Sequence, residues 1–132
     1  MKTTMITLTG LMLIASAVFA NIESPKVLDQ AVTNYSNALK SENPGVRNSA
    51  LYQIVRMKNV HPEADYASLK KVMKKMAEKD DNALVRVHAK LTLLYIDDPV
   101  LSEKVRTVRG EEDFQFFQRL HNEIHRSFYS MK

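Results

Sequence analysis

An all-α fold, built as a short stack of about two helical hairpins plus a C-terminal helix, is predicted by three features of this sequence. The first is a duplication: Asn43-Pro-Gly-Val-Arg-Asn-Ser-Ala50 returns as Asn82-Ala-Leu-Val-Arg-Val-His-Ala89. The offset of 39 residues also aligns Ala38 with Ala77, Lys40 with Lys79, Glu42 with Asp81 and Ile54 with Leu93. A period of that size is what stacked helical hairpins produce. The second is that apolar residues recur at helical spacing between consecutive Pro, Gly and Asn breaks. The third is that only one run alternates with period two, and a lone strand has no partner to satisfy its backbone.

Residues 1–20 read as an export leader. Lys2 supplies the positive start, Met5 to Phe19 form an apolar run, and Val18-Phe19-Ala20 suits cleavage after Ala20. About 15 apolar residues fall short of the roughly 20 that span a bilayer, so stable membrane insertion is not expected after cleavage. The chain has no Cys, which excludes a disulfide framework, a thiol nucleophile, a Cys-ligated metal and a lipoprotein anchor. A periplasmic or secreted product is the expectation. The remaining 21–132 segment has 112 residues, the size of one domain. The whole chain carries a formal charge of +4, and losing Lys2 with the leader leaves +3. That mild surplus favours anionic surfaces weakly and falls short of a nucleic-acid footprint, so no nucleic-acid partner is expected.

The first helix is expected from Pro25 to Leu39. Ser24-Pro25 starts it, and Val27, Leu28, Ala31, Val32, Tyr35, Ala38 and Leu39 mark one apolar face. Asn43-Pro44-Gly45 reads as the tight turn that follows. A second helix, Val46 to Lys58, places Val46, Ala50, Ile54 and Met57 on one stripe, until Asn59-Val60-His61-Pro62 breaks it. The third, Pro62 to Lys79, turns Tyr66, Leu69, Val72, Met73, Met76 and Ala77 inward. Its other face carries Lys70, Lys71, Lys74 and Lys75, a solvated surface that also suits an acidic partner.

The fourth segment, Asn82 to Ile96, is the alternating one: Val85, Val87, Ala89, Leu91 and Leu93 are separated by polar residues. Its length of about 14 residues and its alignment with the second helix favour a helix, packed centrally on more than one side. A short helix from Pro99 to Val108 follows, carrying Val100, Leu101, Val105 and Val108, and Gly110 breaks the chain again. The last helix runs from Glu111 to Tyr129. Its early acids, Glu111, Glu112 and Asp113, suit the positive end of the helix dipole. Phe117, Leu120, Ile124, Phe128 and Met131 are its expected buried stripe.

The paired segments, Glu42 to Ala50 and Asp81 to Ala89, resemble the inter-helix turn and second-helix start of HEAT repeats, in which an acidic or Asn-Pro turn precedes Val-Arg and then Ala three residues on. Val46, Arg47 and Ala50, with Val85, Arg86 and Ala89, carry the resemblance, which covers residues 25–96. It implies a short right-handed superhelix of antiparallel helix pairs, a binding role and no catalytic residues. It also implies that Arg47 and Arg86 hold neighbouring repeats in register, with Asp80, Asp81 and Glu42 as plausible acceptors. A planar guanidinium suits such bonding.

One motif invites a chemical reading. His121-Asn-Glu-Ile-His125 sets two imidazoles four residues apart on one helix, the spacing of zincin ligands. Glu123 stands one position later than the zincin base, about 100° round the helix, so a protease reading fails. A plain two-His metal site needs a further ligand, for which His88 and Glu112 are candidates. There is no Gly-rich phosphate loop and no Gly-x-Ser-x-Gly elbow. The expectation is therefore an exported helical-repeat adaptor without catalysis or cofactor. It would bind a protein partner through Lys70, Lys71, Lys74 and Lys75 or through the aromatic flank of the last helix. A small metal- or ligand-binding protein centred on His121 and His125 is the alternative. Self-association is also expected to be possible, at the cluster of Phe114, Phe116 and Phe117.

Overall fold

The computed structural model describes residues 25–131, so the expected leader and its cleavage point lie outside the described residues. Among the described residues there are six helices and no strand: α1 (Pro25–Ala38), α2 (Pro44–Val60), α3 (Ala67–Lys79), α4 (Ala83–Asp97), α5 (Pro99–Lys104) and α6 (Asp113–Ser130). None of them is long and apolar enough to cross a membrane. The chain groups into two compact units that divide inside α1, after Thr33. In the leading unit, Leu28, Ala31 and Val32 are half-buried along one side of the helix.

In the unit that begins at Asn34, α4 is the hub. It packs against α2, α3, α5 and α6, and α2 also meets α6. Leu51, Ile54 and Val55 of α2, Leu69 and Met73 of α3, Val85, Ala89 and Tyr95 of α4, and Phe116, Phe117 and Leu120 of α6 are almost wholly removed from solvent. Each large side chain of this kind contributes roughly 1.5–3 kcal/mol on burial. The alternating run is helical because this environment suits a helix. Val85, Ala89, Thr92 and Ile96 fall on one inward stripe, while Val87 and Leu94 turn half outward.

The helix boundaries differ from expectation where side chains bond to the backbone. Pro44 and Gly45 are the first residues of α2 and not a separate turn, because the Asn43 side chain accepts from the Gly45 N–H and caps the helix two residues early. Pro loses nothing at that position, since its missing N–H would be unpaired there anyway. Asn82 likewise caps α4, accepting from the N–H groups of Leu84 and Val85. Residues 62–66 lie outside α3: Tyr66 is buried and donates its hydroxyl to the His61 carbonyl, which fixes the connection in a non-helical path. The short α5 stops at Lys104, and Val100 and Val108 are exposed. Asp98 begins α5 by accepting from Val100 and Leu101.

The burial pattern of α6 also departs from the expected stripe. Phe117 and Leu120 are core residues, but Ile124 is only half-buried, and Phe128 and Met131 are exposed because the helix runs past the core. Phe116, absent from the expected stripe, is fully enclosed and touches the rings of Tyr52, Tyr95 and Phe117. Val46 was expected inward and is 42% exposed, whereas Val85 at the matching position is wholly buried.

Candidate functional site

The turns before α2 and α4 hold matching sets of hydrogen bonds. The Asn43 N–H donates to Ser41 Oγ, and 39 residues later the Asn82 N–H donates to Asp80 Oδ1. Arg47 Nη1 donates to the Ser41 carbonyl, and Arg86 Nη1 donates to the Asp80 carbonyl. Arg47 does more. Its Nη2 reaches Asp80 Oδ1 and Asp81 Oδ1, each at 2.8 Å, and its Nη1 also reaches the Glu42 carbonyl at 3.0 Å. The guanidinium therefore ties the turn before α2 to the turn before α4.

Arg47 and Asp80 are both largely shielded from water, whereas Asp81 is exposed. The bond from Asp80 raises the Arg47 pKa further against the opposing effect of burial, so the group stays charged. Burial by itself would raise the Asp80 pKa, but the bonds from Arg47 and the Asn82 N–H outweigh it and hold the carboxyl below its usual range. Arg47 Nε is buried without a partner among the described residues. This cluster joins the two turns.

Next to it lies a groove of about 460 Å³, lined by Leu39, Lys40, Lys71, Val72, Lys75, Met76, Lys79 and Asp80. Leu39, Val72 and Met76 line it with apolar side chains, and Lys40, Lys71, Lys75 and Lys79 add four basic residues to the lining. Lys71, Lys75 and Lys79 follow one another at four-residue steps along α3, so they share one edge of the helix. Lys40 comes from the segment after α1. Asp80 is engaged with Arg47, so the basic lining is not neutralised from within.

The four lysines expected to act together are divided by the helix. Lys71 and Lys75 line the groove. Lys70 is half-buried and paired with Asp97, while Lys74 is exposed on the side nearer Lys70. Lys40 and Lys79 join that lining instead. Their signal was present in the sequence, because the 39-residue shift superposes one on the other. What the sequence lacked was the approach of the segment after α1 to α3.

His121 and His125 stand side by side on the exposed surface of α6, with their Nε2 atoms 3.0 Å apart. The candidate third ligands are elsewhere. His88 is buried, stacked 4.1 Å from Phe117, and its Nδ1 meets Asn48 Oδ1 at 3.0 Å. Burial lowers its pKa, although Asp113 pulls the other way. Glu112 is the N-cap of α6, in a reciprocal arrangement with Gln115. Glu123 interacts with Lys104 and Arg126. No group of three or more His, Asp or Glu residues placed to hold a metal ion occurs among the described residues.

The aromatic flank proposed for association is also divided. Phe116 and Phe117 belong to the core, and only Phe114 of the three is exposed. The reason is the capping of α6 at Glu112, which sets Phe116 and Phe117 on the side facing α2 and α4. Compared with known proteins, the chain matches no family model, no curated protein and no solved structure.

Proposed function

We propose that this chain is an exported helical-repeat adaptor, built as about two HEAT-like hairpins in a short right-handed superhelix and with no catalytic role. It docks an acidic, partly apolar segment of another protein in the groove between Lys40 and α3. The single observation that carries this reading is the groove itself, lined by Leu39, Val72 and Met76 together with four lysines. Apolar linings bind side chains through desolvation, and the neighbouring charges select and orient an acidic partner. The matching turn hydrogen bonds at Arg47 and Arg86 support the repeat arrangement.

The test is site-specific photocrosslinking from position 72 in the cell that makes the protein. A captured partner should carry its crosslink on an acidic segment, and capture should disappear when Lys71 and Lys75 are both changed to Glu. Capture that survives the charge reversal would reject the groove as the docking site.

The convergence of His121 and His125 favours a second reading, a small metal-binding protein with these two ligands. Stoichiometric zinc uptake that His121→Ala abolishes would support it over the adaptor. Such a site needs donors beyond the two imidazoles, because structural zinc takes four ligands.

A further inference from the structure

The 39-residue shift pairs positions on α2 with positions on α4, and the burial of these pairs differs in a pattern. Val85, His88 and Thr92 of α4 are buried, but their α2 counterparts are not: Val46 and Ser49 are exposed and Gln53 is half-buried. On the other face the order reverses. Arg47 and Val55 of α2 are buried, whereas Arg86 is half-buried and Leu94 is 50% exposed. Asn48 is half-buried, and its counterpart Val87 is exposed.

The pattern has a structural origin. Helices α2 and α4 pack against each other, Asn48 meets His88 between them, and Arg47 bonds to Asp80 and Asp81 in the turn before α4. Residues 85, 88 and 92 share one helix face, and residues 47, 48 and 55 share another. Each helix thus gives one face to the contact and keeps the other. The two faces left over are the same kind of pair that already meets inside the chain.

Charge follows the same scheme. Asp81 accepts from Arg47, and its counterpart Glu42 is exposed with no ion pair among the described residues. Arg86 keeps the carbonyl bond that Arg47 also makes, but it meets no carboxylate among the described residues. A further step of 39 from Asp80 and Asp81 falls on Arg119 and Leu120, so the chain supplies no third acidic turn there.

We infer that a second copy of this chain docks head-to-tail: the Arg86, Val87 and Leu94 face of one copy meets the Val46, Ser49 and Gln53 face of the next, with Glu42 accepting from Arg86. This rests on the repeat arrangement proposed above. The contact is heterologous, so repeated use gives a ring or an open chain and not a two-fold dimer. It is weaker than the internal contact for two visible reasons. Lys90 stands where α2 has the buried Leu51, and Ser41 stands where the inner turn has Asp80. Assembly is therefore reversible, dependent on concentration and weakened by salt.

Sedimentation velocity over a wide concentration range, on protein purified after expression of the full chain, tests the inference with the variants Arg86→Glu and Glu42→Arg. The wild-type chain should associate as its concentration rises, and each variant alone should weaken association by about tenfold or more. An equimolar mixture should recover it, because the native Arg86 of the E42R variant meets the native Glu42 of the R86E variant. Leu94→Ser should weaken association without altering charge. A wild-type chain that stays monomeric at the highest concentration overturns the inference, as does association indifferent to both charge reversals or a mixture that fails to recover. The repeat arrangement is checked separately on the monomer, by whether Arg47→Ala and Asp80→Ala are non-additive in stability. If they couple while the chain stays monomeric, only the head-to-tail contact fails.

Discussion

Arg47 illustrates how one side chain can carry both register and stability. It makes four hydrogen bonds to two different turns, and its partner Asp80 is nearly as shielded as the guanidinium. Replacing it with Ala leaves Asp80 shielded without its countercharge. Because Asp81 on the same cation is exposed, the loss should fall below that of a fully buried pair, at about 2–3 kcal/mol by urea denaturation. A loss of only a few tenths would show that water replaces the guanidinium freely. His88 makes a different prediction. Its folded pKa lies below the ordinary value, so under acid conditions the unfolded state binds more protons. Its contribution is full above about pH 6.5 and declines as pH falls from there toward the folded pKa. Asp80 and Glu111, whose carboxyls are held below their usual range, withdraw their contributions at lower pH still, below about pH 4. Unfolding free energy measured against pH should therefore drop in two stages, and His88→Gln should flatten the upper one.

At the scale of the element, helix starts are fixed by side chains more than by the apolar pattern. Asn82 accepts from two backbone N–H groups and Asn43 from one. Asn82→Ala should lower stability by about 1 kcal/mol, and Asn43→Ala by less. Equal losses would mean that the second bond adds nothing. Helix α6 gives a sharper contrast between neighbours. Phe116 is enclosed by Tyr52, Tyr95 and Phe117, whereas Phe114 projects into solvent. Phe116→Ala should destabilise by about 3–4 kcal/mol in thermal or denaturant unfolding. Phe114→Ala should stay within about 0.5 kcal/mol. The helical spacing that marked Phe117 and Leu120 was legible in the sequence. The burial of Phe116 was not, because a helix pressed against both α2 and α4 buries a wider arc than a single stripe.

At the scale of the molecule, the groove should separate binding from stability. Lys71 and Lys75 are exposed, so changing both to Glu should leave unfolding nearly unchanged, within about 0.5 kcal/mol. The same change should abolish binding of a synthetic peptide with Glu and Leu on one helical face, measured by fluorescence anisotropy. Binding by the wild-type chain should weaken as salt is raised, since screening shortens from about 10 Å at 0.1 M to about 3 Å at 1 M. Equal binding of a Lys-for-Glu version of the peptide would reject charge as the basis of selection. The sequence by itself determined the helical class, the 39-residue duplication and the central place of the segment from Asn82 to Ile96. All of these follow from spacing along the chain, and helical periodicity converts spacing directly into faces. Only the tertiary structure decided that Lys71 and Lys75 join Lys40 and Lys79 while Lys70 turns to Asp97, and that Val46 and Val85, alike in sequence, differ completely in burial. Those outcomes depend on which element lies beside each face, a relation between distant parts of the chain that local spacing does not encode.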